Sequence, residues 1–305
     1  MSIHNDLIQP DRGQSAIAIH IVTADSYDDF AKSLSAPQRA SLAGQRFKPS
    51  AGQVGIVPDG DSWFALGGVL VREEDEEEAR RLHAAFVEKW GVTAPLHSSE
   101  IRSQNEGFLW LRGKSKDEQG AFYEDLYGLM RDAPVIGIAC VIDRPGYNAR
   151  YAAQYLENRW MLCKTAFSVV VERAAKFAIG QGQRLRVMPE KCNKTEDAAL
   201  KAYYAELRTD GLPFDTKNSG KYAPLTTEQL KTTLYDLRFK AKSSPMAQLA
   251  DLYLWPVCMG GYNSGNRPYR RLRDDGKLIE CILDDADHAT LATKYSCFEG
   301  VDRKA

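Results

Sequence analysis

The chain has 305 residues, of which 44% are hydrophobic and 27% charged, a balance typical of a soluble globular protein with one large or two ordinary domains. Its 40 basic and 41 acidic residues nearly cancel, which excludes bulk electrostatic attraction to nucleic acid and leaves only local basic patches. No apolar run approaches the roughly 18 residues of a membrane span, and the N-terminus lacks the features of a signal peptide, so we expect a cytoplasmic protein. The six scattered cysteines predict reduced thiols and no zinc site.

The first predicted element is a strand at Ile17–Val22. A polar connection over about 28–61 follows, and its length predicts an insertion that folds over the site as a lid, with a short helix around Pro37–Ala43. The apolar run Trp63–Val71 predicts a second strand, and the Gly-Gly pair inside it indicates a bulge or a close approach of another backbone.

Helices are predicted between this strand and the next. An acidic start favours a helix over Glu73–Trp90, and a second helix covers Lys116–Met130. The nearly continuous apolar run Val135–Ile142 predicts a central strand that ends at Asp143. From about Ala149 to Ile179 the pattern predicts one long, partly buried helix that is closed by two glycines.

The second half of the chain is predicted to alternate short strands with helices: a strand at Leu185–Met188, a helix near Glu196–Arg208, a strand at Thr232–Phe239 and a helix from Pro245. The tail after about residue 262 is predicted to be a short extension. No internal repeat or linker divides the chain, so we expect a single α/β domain over residues 1–305 with a lid-like insertion.

The helix that begins at Pro245, with Ser244 as its predicted N-cap, contains a single carboxylate among apolar residues, that of Asp251. Its apolar faces are broad enough to predict packing against protein on more than one side. A buried carboxylate is costly without a partner, so Asp251 is expected to meet a cation, a hydrogen-bond network or the wall of a cleft.

Two more carboxylates follow predicted strands, Asp25 after the first strand and Glu190 after the fourth. If these strands run parallel, both residues lie at the carboxyl edge of the sheet, where sites form in open α/β sheets. Hard divalent cations are held by carboxylate oxygens from separate elements. Asp25, Glu190 and Asp251 therefore form a predicted metal triad for Mg²⁺ or Mn²⁺, although exposed acids at strand ends are also common without any function.

Several segments of this chain resemble a known family in their order. They are Phe64–Val71 with its Gly-Gly pair, Leu96-His-Ser-Ser-Glu-Ile101, the strand ending at Asp143, Pro189-Glu190, and Lys242-Ser-Ser-Pro-Met-Ala-Gln-Leu-Ala-Asp-Leu252. Together they are similar to the bacterial and phage family called domain of unknown function 3800, over about Ile17 to Tyr262. The most specific piece is the Gln-Leu-Ala-Asp-Leu signature.

The resemblance implies an RNase H-like fold, with a mixed sheet flanked by helices and with inserted helices between the second and third strands. In that architecture the first strand, a later strand and the C-terminal helix each contribute an acid to one site, and Asp25, Glu190 and Asp251 hold those places. Family members commonly have Asp-Glu-Ser-Gly after the first strand. The corresponding stretch here is Ala24-Asp25-Ser26-Tyr27, which keeps the aspartate and lacks the glutamate and the glycine.

Further residues are assigned secondary roles. Asp143 is either a fourth metal ligand or a cap of the following turn. Glu100 is a candidate substrate contact, and His97 is either a proton shuttle beside it or a hydrogen-bonded structural residue. Lysines near the predicted site suit phosphate oxygens and equally suit solvated loops: Lys191, Lys240 and Lys242. A basic cluster over Arg267–Arg273 suits a nucleic-acid backbone and also resembles an ordinary surface tail.

These residues favour a metal-dependent, nuclease-like hydrolase that cleaves phosphodiesters in nucleic acid. A catalytically silent binding or regulatory module with the same fold is the main alternative, and the near-neutral charge and the departure after Asp25 favour it. A hydrolase of a small phosphate compound is the third hypothesis, because the predicted lid could close a pocket.

Overall fold

The structure, a computed structural model, describes residues 16–25, 63–155 and 160–304, without the side chains of residues 25, 152–161, 216 and 218. The predicted lid over 28–61 and its short helix at 37–43 lie outside these ranges.

The described chain forms one sheet and a set of helices around it. The strands are β1 (Ala16–Asp25), β2 (Trp63–Arg72), β3 (Ile136–Asp143), β4 (Arg184–Pro189), β5 (Leu234–Leu237) and β6 (Lys294–Ser296). The helices are α1 (Glu76–Trp90), α2 (Ser98–Ser103), α3 (Lys116–Asp132), α4 (Arg144–Tyr155), α5 (Trp160–Gly180), α6 (Lys194–Thr209), α7 (Thr216–Ser219), α8 (Thr227–Thr233), α9 (Pro245–Tyr262), α10 (Arg267–Asp274) and α11 (His288–Leu291). The α/β class predicted from the sequence is therefore confirmed.

The sheet is mixed and its six described strands lie in the order β5-β4-β1-β2-β3-β6. β1, β2 and β3 form an antiparallel meander, while β4 pairs with β1, β5 with β4, and β6 with β3, all in parallel. As a result β1, β3, β4, β5 and β6 all end at the same edge, here called the carboxyl edge.

Two apolar cores hold the sheet between layers of helices, because the central strands are apolar on both faces. On one face α9 lies across β1, β2 and β3, with α1 and α3 packed outside it. On the other face α5 contacts β2, β3 and β4, and Ile17, Ile19 and Ile21 of β1 point toward it. Each of these isoleucines is at most 2% exposed, a burial that contributes about 1.5–3 kcal/mol per side chain.

The glycine pair of β2 is the place where neighbouring backbone comes closest. A Cβ at Gly67 would lie 2.5 Å from the carbonyl oxygen of Ile138, and one at Gly68 would lie 2.2 Å from the carbonyl oxygen of His20 and 2.7 Å from the Ala250 Cβ. The predicted close approach is confirmed, and it lets α9 pack directly on the middle of the sheet.

The segment after residue 262 is more than a short appendage. It forms α10 and then returns as β6, which extends the sheet beyond β3. The rings of Tyr269 and Tyr295 lie against Gly260 and Gly261, where a Cβ would approach ring carbons to within 2.3 and 2.6 Å. The C-terminal segment is thereby fastened to the end of α9.

Some predicted boundaries differ from the observed ones. Thr232 and Thr233, predicted to begin a strand, end α8, and the strand covers only Leu234–Leu237. Within the predicted long helix over 149–179, the structure describes α4 up to Tyr155 and α5 from Trp160. No helix among the described residues is long and apolar enough to cross a membrane. None of the six cysteines, which all lie in the described ranges, forms a disulfide, and Cys192 and Cys281 are exposed.

Candidate functional site

The carboxyl edge brings three of the predicted acids to the ends of strands. β1 ends at Asp25, β3 ends at Asp143, and Glu190 directly follows β4. The backbone of Glu190 stays joined to β1, because its amide donates a 2.8 Å hydrogen bond to the carbonyl of Ile21. The backbones of Asp25 and Glu190 therefore extend from neighbouring parallel strands, while the side chain of Asp25 lies outside the described part.

Asp143 is a buried hydrogen-bond acceptor, only 6% exposed. Its Oδ2 accepts a 2.7 Å hydrogen bond from the amide of Gly146 in the first turn of α4. Its Oδ1 accepts a 2.8 Å hydrogen bond from the hydroxyl of Tyr262 at the end of α9. This is the capping role considered for Asp143, and it also ties α9 to the carboxyl edge. A metal-ligand role would compete with these two contacts.

Asp251 contacts the start of α2. Its Oδ2 accepts a 2.5 Å hydrogen bond from the amide of Ser98 and lies 3.7 Å from Nδ1 of His97. His97 is also 3.0 Å from the hydroxyl of Ser99 through the same ring nitrogen. A carboxylate at a helix N-terminus satisfies an amide that has no partner inside the helix, and it complements the helix dipole. Asp251 thus has the hydrogen-bond network that its position required.

Gln248 is a buried polar residue whose role was not predicted from the sequence. Its Oε1 accepts hydrogen bonds from the amide of Leu96 at 2.7 Å and pairs with Nε2 of His83 at 2.9 Å, and its Nε2 donates to the carbonyl of Ser243 at 3.1 Å. It fixes the segment before α2 and the segment before α9 in relation to each other. The available signal was a glutamine on an otherwise apolar helix, one turn before Asp251.

Glu100 lies in the first turn of α2 and is half-buried. Its Oε2 lies about 4.0 Å from the position that a Cβ on Gly107 would occupy, so the carboxylate faces the segment after α2. His97 and Glu100 therefore belong to the same corner of the molecule as Asp251.

The three predicted lysines differ in environment. Lys191 and Lys242 are exposed, while Lys240 is half-buried. Backbone hydrogen bonds of 2.8 Å link the Lys240 amide to Pro189 and the Lys191 amide to Lys240, which continue the β4–β5 pairing past the strand ends. Neither Lys191 nor Lys242 forms a side-chain ion pair with the residues that the structure describes.

The interior next to Lys240 holds a buried histidine. Nε2 of His20, in β1, lies 3.9 Å from the Glu76 carboxylate, and neither ring nitrogen has a hydrogen-bond partner within the described part of the chain. Burial lowers the pKa of His20 to about 4, against the opposing effect of Glu76. Glu76 itself pairs with Arg80, and the charges of Arg80 and Lys240 lower the pKa of His20 further. His20 is therefore a neutral residue at physiological pH.

The ability of these residues to hold a metal depends on Asp25. Among the side chains that the structure describes, no group of three or more His, Cys, Asp or Glu residues is arranged to hold a metal ion. Asp25 is not in that set. Oδ1 of Asp251 makes no hydrogen bond with the described residues, so one of its two oxygens is available to a cation.

A groove of about 230 Å³ begins at Ser98, beside Asp251, and runs between α2, α3, α9 and α10. The guanidinium of Arg102 lies 3.9 Å from the centroid of the Trp255 ring, and that of Arg271 lies 3.5 Å from the ring of Tyr127. Two members of the predicted basic cluster line this groove, and both pair with Glu124 at 2.7 Å: Arg267 and Arg271. The cluster is thus a partly neutralised surface of cations and aromatic rings.

The protein is therefore an α/β protein with a six-stranded mixed sheet among its described residues. Helices flank the sheet, and acidic residues lie at its carboxyl edge. A relative in Sinorhizobium fredii, described as "Uncharacterized protein y4pM", is 35% identical over 237 residues, which span 77% of this chain and 85% of the relative. The chain belongs to the family of that protein. No family model matches the chain, and no solved structure matches it.

Proposed function

We propose that this protein is a metal-dependent phosphodiester hydrolase with an RNase H-like fold, and that it acts on nucleic acid. The order of the main elements supports the fold once the helices inserted between β2 and β3 and the segment after α9 are set aside: three antiparallel strands, the long helix α5, β4, α6, β5 and α9. The observation that carries the proposal is the placement of Asp25 and Glu190 at the carboxyl ends of the paired parallel strands β1 and β4.

Carboxylate oxygens from separate elements are the ligands that Mg²⁺ and Mn²⁺ prefer, so Asp25 and Glu190 fit such an ion. Asp251 would add its Oδ1 while Oδ2 keeps the amide of Ser98. When bound, the ion would polarise the scissile phosphate and lower the pKa of an attacking water. The chain itself would supply Lys191 and Lys242 near the strand ends as phosphate contacts.

The groove that starts at Ser98 supports nucleic acid as the substrate. Arg102 on Trp255 and Arg271 on Tyr127 combine a cation with an aromatic face, the pair of features that holds the backbone and bases of a single strand. The groove lies next to Asp251, so a strand bound along it would reach this corner of the proposed site.

A catalytically silent RNase H-like module is the second candidate, and the contacts of Asp251 favour it. A carboxylate that caps α2 has a structural reason to be present without any metal. The sequence Ala24-Asp25-Ser26-Tyr27, without a second acid, points the same way.

Titration calorimetry with Mn²⁺ distinguishes the two candidates. The wild-type protein should bind Mn²⁺, and Asp25→Asn, Glu190→Gln and Asp251→Asn should each weaken binding by about tenfold or more, because each removes a charged ligand. Asp251→Asn should remain folded, since its amide oxygen can still accept the hydrogen bond from Ser98. Asp117→Asn, an exposed acid in the first turn of α3, is the matched control and should bind as the wild type does.

If the wild-type protein binds no Mn²⁺ and Asp251→Asn only lowers the melting temperature, the hydrolase proposal is wrong and the silent module stands. Binding that disappears in all three variants would justify assays with single-stranded and double-stranded DNA and RNA.

A further inference from the structure

A second cavity, of about 760 Å³, opens beside α5 on the side of the sheet opposite α9. Its walls come from α4, α5, the segment 212–224 and β6. This volume lies in the range of natural small-molecule sites. None of the residues predicted to have a function from the sequence lines it, and it is separate from the carboxylates of the proposed site.

The cavity carries an excess of positive charge. Five basic side chains line it against two acidic ones: Arg150, Lys164, Arg173, Lys221 and Lys294 against Glu172 and Asp215. Acids outside the lining pair with two of the five, Glu299 with Arg150 at 2.8 Å and Glu206 with Lys164 at 2.5 Å. Glu172 forms its ion pair with Lys176, at 2.6 Å, and acts on the lining residue Arg173 only from a longer distance.

The remaining charges converge on one wall. The ammonium of Lys294 donates a 3.0 Å hydrogen bond to the hydroxyl of Tyr222, and the ammonium of Lys221 lies 5.1 Å from the centroid of the same ring. Among the described residues, neither ammonium forms an ion pair with a carboxylate, and the Glu299 carboxylate acts on Lys294 only from a longer distance. The hydrogen bond from Lys294 lowers the pKa of Tyr222, as expected in a locally positive environment.

Arg173 adds a fixed positive charge behind this wall. It is 4% exposed and donates to the carbonyls of Ala289 and Ala292, while the carboxylates of Glu172 and Glu280 act on it from beyond ion-pair distance. A buried guanidinium held by carbonyls cannot turn away to solvent. The wall therefore favours an anion.

Aromatic rings form a further part of the lining, here called the aromatic wall. Tyr147, Tyr151 and Phe214 all line it, and the centroids of the first two rings are 5.1 Å apart. Aromatic faces accept a flat heterocycle by stacking, and lysine ammonium groups accept phosphate oxygens. A nucleotide requires both an aromatic face for its base and cations for its phosphate, and this cavity has both.

We propose that this cavity binds a nucleoside phosphate, with the phosphate between Lys221 and Lys294 and the base against the aromatic wall. This site does not depend on the hydrolase proposal, because its lining includes none of the carboxylates proposed to hold the metal.

Titration of AMP and ADP by calorimetry in the presence of EDTA tests the site without any contribution from divalent metal. The wild-type protein should bind both, and the double variant Lys221→Gln/Lys294→Gln should bind about tenfold more weakly or worse, because two charge-assisted contacts are lost. Lys116→Gln, an exposed lysine at the start of α3, is the matched control and should leave the affinity unchanged. Asp251→Asn should also leave it unchanged.

A second comparison tests the base. The wild-type protein should bind AMP more tightly than ribose 5-phosphate. Phe214→Ala should lower the affinity for AMP and leave the affinity for ribose 5-phosphate unchanged. Melting temperatures show that each variant is folded before its affinity is used. Absence of AMP and ADP binding to the folded wild-type protein, or equal affinity in the lysine double variant, overturns the proposal. Equal affinity for AMP and ribose 5-phosphate overturns the assignment of a nucleotide.

Discussion

At the scale of single residues, His20 shows how a polar group can be tolerated inside a sheet by giving up its charge. Charging an imidazole there would place a cation in the core, where Glu76 has the one carboxylate of the described residues within 4 Å, at 3.9 Å. Arg80 and Lys240 oppose the protonated form, and burial opposes it most. His20 therefore makes stability depend on pH.

His20 predicts a loss of stability in mild acid. The pKa of His20 is 6.5 in the unfolded chain and about 4 in the folded protein. Between these values the unfolded chain binds more protons, so the free energy of unfolding decreases as the pH is lowered. The total loss of unfolding free energy that His20 causes is roughly 3 kcal/mol, and it is complete once the pH is below the folded pKa. Urea denaturation across this range should show a shallower decline for His20→Leu than for the wild-type protein.

His288→Leu is the matched control for this comparison, because His288 is exposed and should not alter the pH dependence. Parallel stability curves for the wild-type protein and His20→Leu would show that His20 does not control the acid response.

The contacts of Asp251 show why the candidate site was only partly predictable. The sequence indicated that an acid within an apolar helix needs a partner, and it could not reveal that the partner would be the amide of Ser98, 153 positions away. That contact is produced by the packing of α2 on α9. Asp143 was more accessible to sequence reasoning, because an acid followed by Pro145 and Gly146 is typical of a helix start.

At the scale of elements, β2 was predicted together with the reason for its glycines. Gly68 has a φ of +155° and lies under the Ala250 methyl, so both its backbone conformation and its lack of a side chain are required. The strand that contains β5 was predicted to begin too early, at Thr232, because Thr-Thr favours a strand by composition. The capping box formed by Thr226 and Gln229 starts a helix that continues through Thr233.

The helix–sheet contact at β2 predicts opposite effects for two similar substitutions. Gly68→Ala should lower the free energy of unfolding by about 2 kcal/mol or more, because the new methyl meets backbone at 2.2 Å. Gly128→Ala, on α3 with open space around it, should raise that free energy by about 0.5–1 kcal/mol through helix propensity. Urea denaturation measures both. If both substitutions change the free energy of unfolding equally, α9 does not pack against Gly68 of β2 as described.

At the scale of the whole molecule, the C-terminal segment completes the sheet. β6 covers the outer edge of β3, and Tyr295 donates a 2.8 Å hydrogen bond to the carbonyl of Val257 in α9. Short elements of this kind carry too little periodicity to be predicted, which is why the tail was expected to be only an extension. An uncovered strand edge is a template for pairing with another chain.

Ending the chain after Ala292 should therefore lower the melting temperature and cause self-association, because the edge of β3 becomes exposed. Size-exclusion chromatography with light scattering and thermal denaturation check both effects. Ser296→Ala keeps the backbone hydrogen bonds of β6 and should behave as the wild-type protein does. A monomeric truncated protein with an unchanged melting temperature would show that β6 is dispensable.

The position of β1 in the sheet also has a consequence for the protein as it is being made. β1 lies between β2 and β4, and its residue Ile17 pairs with Leu185, 168 positions later (185 − 17). During synthesis this apolar strand emerges early and keeps one edge without its partner until most of the chain has left the ribosome. Pairings over such distances form slowly, so the nascent protein passes through a long interval in which β1 is open to chaperones or to strands of other chains.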